Sequence, residues 1–280
     1  MFQGISNSWR LIKASAAVLS ADKELIIFPI ISAVGTLVVT LTFALPMFFS
    51  GVFDSIANNH SGILPYLLAF LFYVAQYLVI FFANTALVGA ALIRLRGGDP
   101  TVSDGFRIAF SHLGSIFGYA LIAATVGMII RALSSKQNSL GRIVISLIGM
   151  AWNVATFLVV PILANEDIGP FQAIKRSVSL LKKTWGEQIV GNFGLGAVFG
   201  LLTIGLILIG ALGIFLAVSA QSAVLLVAVI IIVVIALIIF GLVNAALSGI
   251  YTAAVYQFAV EGETSGFFDA GMVQNAFRSR

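Results

Sequence analysis

The chain has 280 residues, 60% of them hydrophobic and only 9% charged, with a formal net charge of +4 and no cysteine. That much apolar surface exceeds what one soluble core of this size can hide, so lipid is the expected solvent. The missing thiols exclude disulfides, thiolate metal sites and cysteine nucleophiles. The scattered basic residues exclude the charge footprint of a nucleic-acid-binding protein.

The first apolar run is preceded by Trp9, Arg10, Lys13, Asp22, Lys23 and Glu24. The opening segment is therefore no cleavable signal, and the first span is expected to insert as an anchor. Within it Ile5, Trp9, Ile12, Ala16 and Leu19 recur at spacings of three and four, opposite Arg10 and Lys13, which predicts an amphipathic helix. Apolar runs then predict spans at 25–50 and 64–93. A second amphipathic segment follows, with Val102, Phe106, Ala109 and Leu113 opposite Arg107. Its start, Thr101-Val-Ser-Asp104, has capping-box spacing. Spans at 114–133 and 142–164 come next. The third amphipathic segment carries Phe171, Ile174, Val178, Leu181 and Trp185 opposite Lys175, Lys182 and Lys183, and opens on Gly169-Pro170, where a first helical turn tolerates proline.

No charged residue occurs between Glu187 and Glu261, a stretch far longer than the ~20 apolar residues that cross a hydrocarbon core. It divides into spans at 189–218 and 223–260. A division into three, near Gly210, Gly213 and residue 232, is the alternative; it gives seven spans and an external C-terminus. As one straight helix the last run would extend ~57 Å, so it must bend, tilt or leave the membrane, with Gly241 and Gly249 as weak points. In the tail, Phe268, Met272 and Ala276 at spacing four suggest a short fourth surface helix.

With six spans and the N-terminus inside, every basic residue except Arg131, Lys136 and Arg142 falls on the cytoplasmic side, as the positive-inside rule requires. Both termini are then cytoplasmic. Self-similarity supports the even count. Asn84-Thr-Ala-Leu-Val-Gly and Asn244-Ala-Ala-Leu-Ser-Gly share one pattern, and each leads through Gly98-Asp99 or Gly262-Glu263 to an aromatic, Phe106 or Phe267. Asn153-Val-Ala-Thr, followed by Asp167, is a fainter copy that chance in apolar sequence also explains. The expected fold is an all-α polytopic membrane protein: six transmembrane helices in three hairpin repeats with cytoplasmic amphipathic interfacial helices. It forms one domain over 1–280, with repeats at 1–98, 99–167 and 168–262 and a tail at 263–280. The mitochondrial carriers share the plan of three two-span units, but their Pro-x-acid-x-x-base signature is missing from the matching span ends.

Asn84, Asn153 and Asn244 fall on the even-numbered spans, where an amide needs a partner that lipid cannot supply. With Gln76, Tyr77, Thr156, Tyr251 and Gln257 they either line a polar pocket or act as interhelical glue at ~0.6 kcal/mol each. Carboxylates follow each even span: Asp99 and Asp104, Glu166 and Asp167, Glu261 and Glu263. They either favour the N-termini of the next helices or ring a cytoplasmic opening. No Asp, Glu, Lys or Arg lies mid-span, which argues against an energised transporter. Gly191-Asn-Phe-Gly194-Leu-Gly196 and the glycines from Gly205 to Gly213 lack the Gly-Lys-Ser/Thr of a phosphate loop and are read as close helix packing. His60 and His112 have no zinc-site spacing. No metal, cofactor or catalytic constellation is therefore expected, and the chain reads as a non-enzyme. The expected partners are the lipid bilayer, with anionic headgroups beneath Trp9, Arg10, Lys13, Arg107, Lys175, Lys182, Lys183 and Trp185, and a protein at the cytoplasmic face.

Ser8-Trp9-x-Leu11-x-Lys13-x-Ser15, Asp22-Lys23-Glu24-Leu25 with Phe28-Pro29, Ala173-Ile-Lys-Arg-Ser177 and Leu181-Lys-Lys-Thr-Trp-Gly186 resemble a family of uncharacterised prokaryotic membrane proteins, a domain of unknown function. A more distant likeness is to the membrane domain attached to glycerophosphodiester phosphodiesterases. The resemblance implies a six-span fold in a bacterial or archaeal cytoplasmic membrane, with no activity and no catalytic residues. The functional expectation is a membrane scaffold or envelope-associated factor; a facilitator of a small solute or lipid, working through the interface of the three repeats, is the alternative.

Overall fold

The computed structural model describes residues 2–49, 62–134, 139–185 and 194–274. His60, Lys136, Glu187, Ala276, Arg278, Arg280, the side chain of Ile5 and the first residues of the expected fifth span lie outside the described residues. Every regular element among the described residues is helical. In chain order these are α1 (Phe2–Ala21), a 3-10 turn (Lys23–Ile26), α2 (Ile27–Phe49), α3 (Leu64–Leu95), α4 (Val102–Ser111), α5 (Leu113–Ser134), α6 (Ser139–Ala155), α7 (Val159–Asn165), α8 (Pro170–Trp185), α9 (Gly194–Ser219), α10 (Ala223–Glu261) and α11 (Ala270–Gln274). Six stretches are long and apolar enough to cross a membrane: Lys23–Phe49, Leu64–Leu95, Leu113–Ser134, Gly141–Asn165, Val198–Ser219 and Ala223–Glu261.

The seven-span division does not occur. α9 and α10 are single helices joined at 220–222, and Gly210 and Gly213 sit inside α9. A Cβ on them would come within 2.9 Å of Val233 and 3.1 Å of Val229, so these glycines let the two helices approach. α10 also runs unbroken through Gly241 and Gly249. It ends at Gly262, whose φ of 74° lies in the left-handed region that glycine enters without a Cβ penalty. Gly249 likewise serves packing, since a Cβ there would strike the side chain of Leu87 on α3.

The fourth span, expected to be continuous, is broken at 156–158 into α6 and α7. Pro161 is the cause: it has no N–H to donate to the Phe157 carbonyl, and its ring crowds that carbonyl. Around the break Phe157 N–H and Val159 N–H turn to carbonyls three residues back, at 3.2 and 3.1 Å. Leu158 N–H donates to Ser177 Oγ of α8 at 3.1 Å, in a fully buried position. A serine from a neighbouring helix thus satisfies the freed backbone group.

Among the described residues, the bundle is tightly packed at one end only. The second half of α3, from Ala83 to Leu95, is almost wholly buried among α2, α4, α5, α7 and α10. With it lie Phe28, Leu158, Ile162, Leu181, Ile250 and Tyr256. Toward the other end the spans expose their apolar side chains: Phe48 is 71% exposed, Ile209 70% and Val224 82%. Such surface calls for acyl chains rather than water.

Candidate functional site

Two polar regions stand out in this apolar molecule, one at each end. At the packed end the last turns of α3, α7 and α10 meet. Arg96 donates to Glu261 Oε1 at 3.0 Å from Nε and 2.7 Å from Nη2, and from Nη1 to Asn165 Oδ1 at 3.0 Å. Asn165 Nδ2 donates to Tyr256 OH at 3.1 Å, and that hydroxyl donates to Glu166 Oε1 at 3.1 Å. Arg176 of α8 closes the chain on both oxygens of Glu166 at 3.2 Å, while Gln257 Nε2 donates to Glu261 Oε2 at 3.0 Å. The ends of the second, fourth and sixth spans are therefore held together on one side by charge-assisted hydrogen bonds.

The carboxylates beyond the even spans divide between two roles. Glu166 and Glu261 bind arginines of other helices, and Asp99 pairs with Arg94 at 3.1 Å. Asp104 caps α4: its Oδ2 accepts from Thr101 N–H at 3.0 Å, and Thr101 Oγ1 accepts from Asp104 N–H at 3.3 Å. The Thr101 hydroxyl and amide hold the Asp104 carboxyl below the usual carboxylate range. Glu24, to which the sequence assigns no capping role, reaches the same helix start and accepts from Val102 N–H at 3.1 Å.

Nearby, Asp22 is 7% exposed and one of its carboxylate oxygens has no partner among the described residues. Burial pushes its carboxyl above the usual range, against the hydrogen bond from the Glu24 backbone and the pull of Arg94, and with the push of the Glu24 and Asp99 charges. A carboxyl raised on folding favours the native state below its unfolded pKa of about 4 and loses that contribution as pH rises through the folded pKa. Asp22→Asn is thus expected to raise the thermal midpoint at pH 7. The difference should shrink toward pH 4 in melts followed by intrinsic fluorescence.

The polar residues singled out in the spans fall in separate places. Gln76 of α3 joins the first hairpin, donating from Nε2 to Thr40 Oγ1 at 2.7 Å and to the Thr36 carbonyl at 3.2 Å. Gln76→Leu should therefore cost ~0.6 kcal/mol, read as a small fall in thermal midpoint. Asn84 and Asn244 are half-buried on α3 and α10, which pack on each other, and Asn244 Oδ1 accepts from Ser248 Oγ at 3.4 Å. Thr156 bonds back to the Trp152 carbonyl at 2.9 Å beside the break, and Gln257 belongs to the packed-end network. Asn153 is exposed on α6. No hydrogen bond joins any two of the three asparagines among the described residues.

Asn153 instead lines the second polar region, a cavity of about 640 Å³ between α5 and α6. Ile130, Ser134, Arg142, Ile145, Ser146, Gly149 and Met150 complete its wall. Also on α5, Arg131 turns toward α3 and donates to Tyr73 OH at 2.7 Å beside a cavity of about 130 Å³.

Of the residues expected at the headgroups, Trp9, Arg10, Lys13, Arg107, Lys175, Lys182 and Lys183 are exposed. Lys13 Nζ stands 5.8 Å above the Trp9 ring, and Arg107 pairs with Asp104 at 3.4 Å. Trp185 differs from that expectation. It is 4% exposed, its indole N–H donates to the Val273 carbonyl at 3.3 Å, and its ring lies 6.1 Å from that of Phe258. α10 and the α11 segment cover the place where headgroups were expected. Among the described residues no three His, Asp or Glu side chains gather as metal ligands.

The sequence pattern of a family of unknown function, DUF6159, matches residues 63–267. The chain belongs to that family. The DUF6159 match covers α3 to α10, and so includes the three span ends joined by Arg96 and the cavity between α5 and α6. None of the curated proteins compared with the chain matches it.

Proposed function

We propose that this DUF6159 protein is a non-enzymatic scaffold or envelope-associated factor of a prokaryotic cytoplasmic membrane. Its packed end faces the cytoplasm and holds anionic headgroups or a protein partner. The observation that carries this reading is the distribution of side chains on the three short helices at that end. α8 buries Ala173, Ser177, Leu180 and Leu181 and leaves Lys175, Arg176, Lys182 and Lys183 outward; α1 buries Leu11, Ala14 and Val18 and leaves Arg10 and Lys13 outward; α4 buries Gly105 and Ala109 and leaves Arg107 outward. Basic faces on helices at a span boundary suit an interfacial role on an anionic leaflet. The meeting of the second, fourth and sixth span ends supports the plan of three tandem units, each a surface helix and a hairpin. Nucleic acid and cofactors have no place in it. A path through the interface of the three units is less well supported, because α6 packs on α5 and α8, leaving Asn153 on a different helix pair from Asn84 and Asn244.

Purification from nanodiscs of mixed anionic and zwitterionic lipid tests the proposal. Enrichment of anionic lipid around the protein is expected, together with a fall of several-fold when Lys175, Lys182 and Lys183 are all replaced by glutamine. No enrichment, combined with no protein complex in pull-downs, would reject it.

A further inference from the structure

Arg142, Ser146, Gly149 and Asn153 recur at spacings of four, three and four, so they form one stripe along α6, and that stripe faces the 640 Å³ cavity. From Arg142, next to the start of the fourth span at Gly141, to Asn153 the helix rises about 17 Å, slightly more than half of a ~30 Å hydrocarbon core. The other faces of this part of α6 are apolar and exposed at Ile143, Val144, Leu147 and Ile148, so acyl chains surround the cavity. Arg142 pairs with no carboxylate, and no hydrogen bond engages the Asn153 amide, among the described residues. Hydrocarbon can satisfy neither group. The cavity volume lies within the ~300–1,000 Å³ of small-molecule sites.

We infer that this cavity takes the head of one anionic phospholipid from the leaflet opposite the packed end, with its phosphate on Arg142 and its acyl chains left in the bilayer. The wall also selects the kind of head. Among the described residues it contains no acidic side chain, so an ammonium group finds no counter-charge, whereas a hydroxylated head beside Arg142 meets Ser134 and Ser146. Phosphatidylglycerol has that chemistry and phosphatidylcholine does not. Arg131 does not substitute for Arg142, because its guanidinium is engaged by Tyr73 of α3 beside the smaller cavity.

Native mass spectrometry of the purified chain in micelles doped with phosphatidylglycerol, phosphatidylcholine or soluble glycerol 3-phosphate is the test. One phosphatidylglycerol should be retained, about tenfold in preference to phosphatidylcholine, with no retention of glycerol 3-phosphate. Arg142→Gln should lower retention about tenfold, the loss of one charge-assisted contact. Arg131→Gln and Lys182→Gln should leave it unchanged. Ser134→Ala with Ser146→Ala, which removes no bulk from the helix contact, should weaken the preference between the two lipids and serves in its place if Arg142→Gln does not fold. Equal retention by wild type and variant, a preference for phosphatidylcholine, or capture of glycerol 3-phosphate would each overturn the inference. Lipid held only at the basic face of the packed end would show as sensitivity to Lys182→Gln and not to Arg142→Gln, and would also overturn it.

Discussion

Gly105→Val is expected to lift α4 from the bundle and to lower the thermal midpoint more than any substitution on the outer face of that helix. A Cβ at this position would lie 2.7 Å from the Ala86 carbonyl oxygen and would strike the Phe28 ring. Neither obstacle yields readily: Ala86 is in the middle of α3 with 0% exposure, and Phe28 has 1%. Overpacking of this kind costs ~1–3 kcal/mol when side chains can shift, and more when the clash is with backbone. Moving α4 instead would give up the edge-to-face contact of Phe106 with Phe28 at 5.3 Å and its stacking on Phe82 at 6.0 Å. Gly241→Ala is the control. It lies inside α10 with open space around its Cβ position, and should stabilise the helix by up to ~1 kcal/mol. Paired melts of the two variants in detergent, read against wild type, should therefore move in opposite directions.

Charge reversal at the packed end has the second large effect. Arg96→Glu would set a carboxylate against Glu261 and remove the donor to Asn165, loosening the junction of α3, α7 and α10. Because Arg96 and Glu261 are 41% and 34% exposed, the pair itself is worth about 1 kcal/mol or less. Repulsion and the slackened Asn165–Tyr256–Glu166 chain add to that. Glu261→Arg alone should be similarly harmful, since it would oppose Arg96. The double exchange, Arg96→Glu with Glu261→Arg, should recover much of the lost midpoint. A coupling energy near zero in this cycle would show that the network does not join the spans.

The spans were legible because insertion leaves a coarse record: long runs without charge, punctuated by acids and bases. The break in the fourth span also had a signal, in Pro161, but a proline inside an apolar run does not reveal whether a neighbour will satisfy the freed amide. Here Ser177, distant in sequence, does so. The Arg96 network had a weaker signal. Arg96, Glu166 and Glu261 each follow an even span, so an even count brings them to one side; which acid meets which base depends on helix rotations that sequence does not specify. Trp185 shows the opposite failure. A stripe at spacings of three and four looks the same whether lipid or protein covers it, and α10 and α11 cover this one. The stripe from Arg142 to Asn153 is hidden in the sequence for a related reason: Arg142 stands out only as a basic residue on the outer side and Asn153 only as part of a repeat, and the geometry of α6 puts them on one face.

Because the chain has no cysteine, single cysteines introduced one at a time report sidedness without background, and labelling with a membrane-impermeant maleimide is the most direct measurement of the proposed arrangement. Gly62→Cys, Ser134→Cys and Gln221→Cys, at the end away from the network, should label in intact cells. Ser103→Cys on α4 and Ser179→Cys on α8 should label only after permeabilisation. Labelling of Ser179→Cys from outside, or protection of Gln221→Cys until permeabilisation, would contradict a six-span chain with its basic, packed end in the cytoplasm.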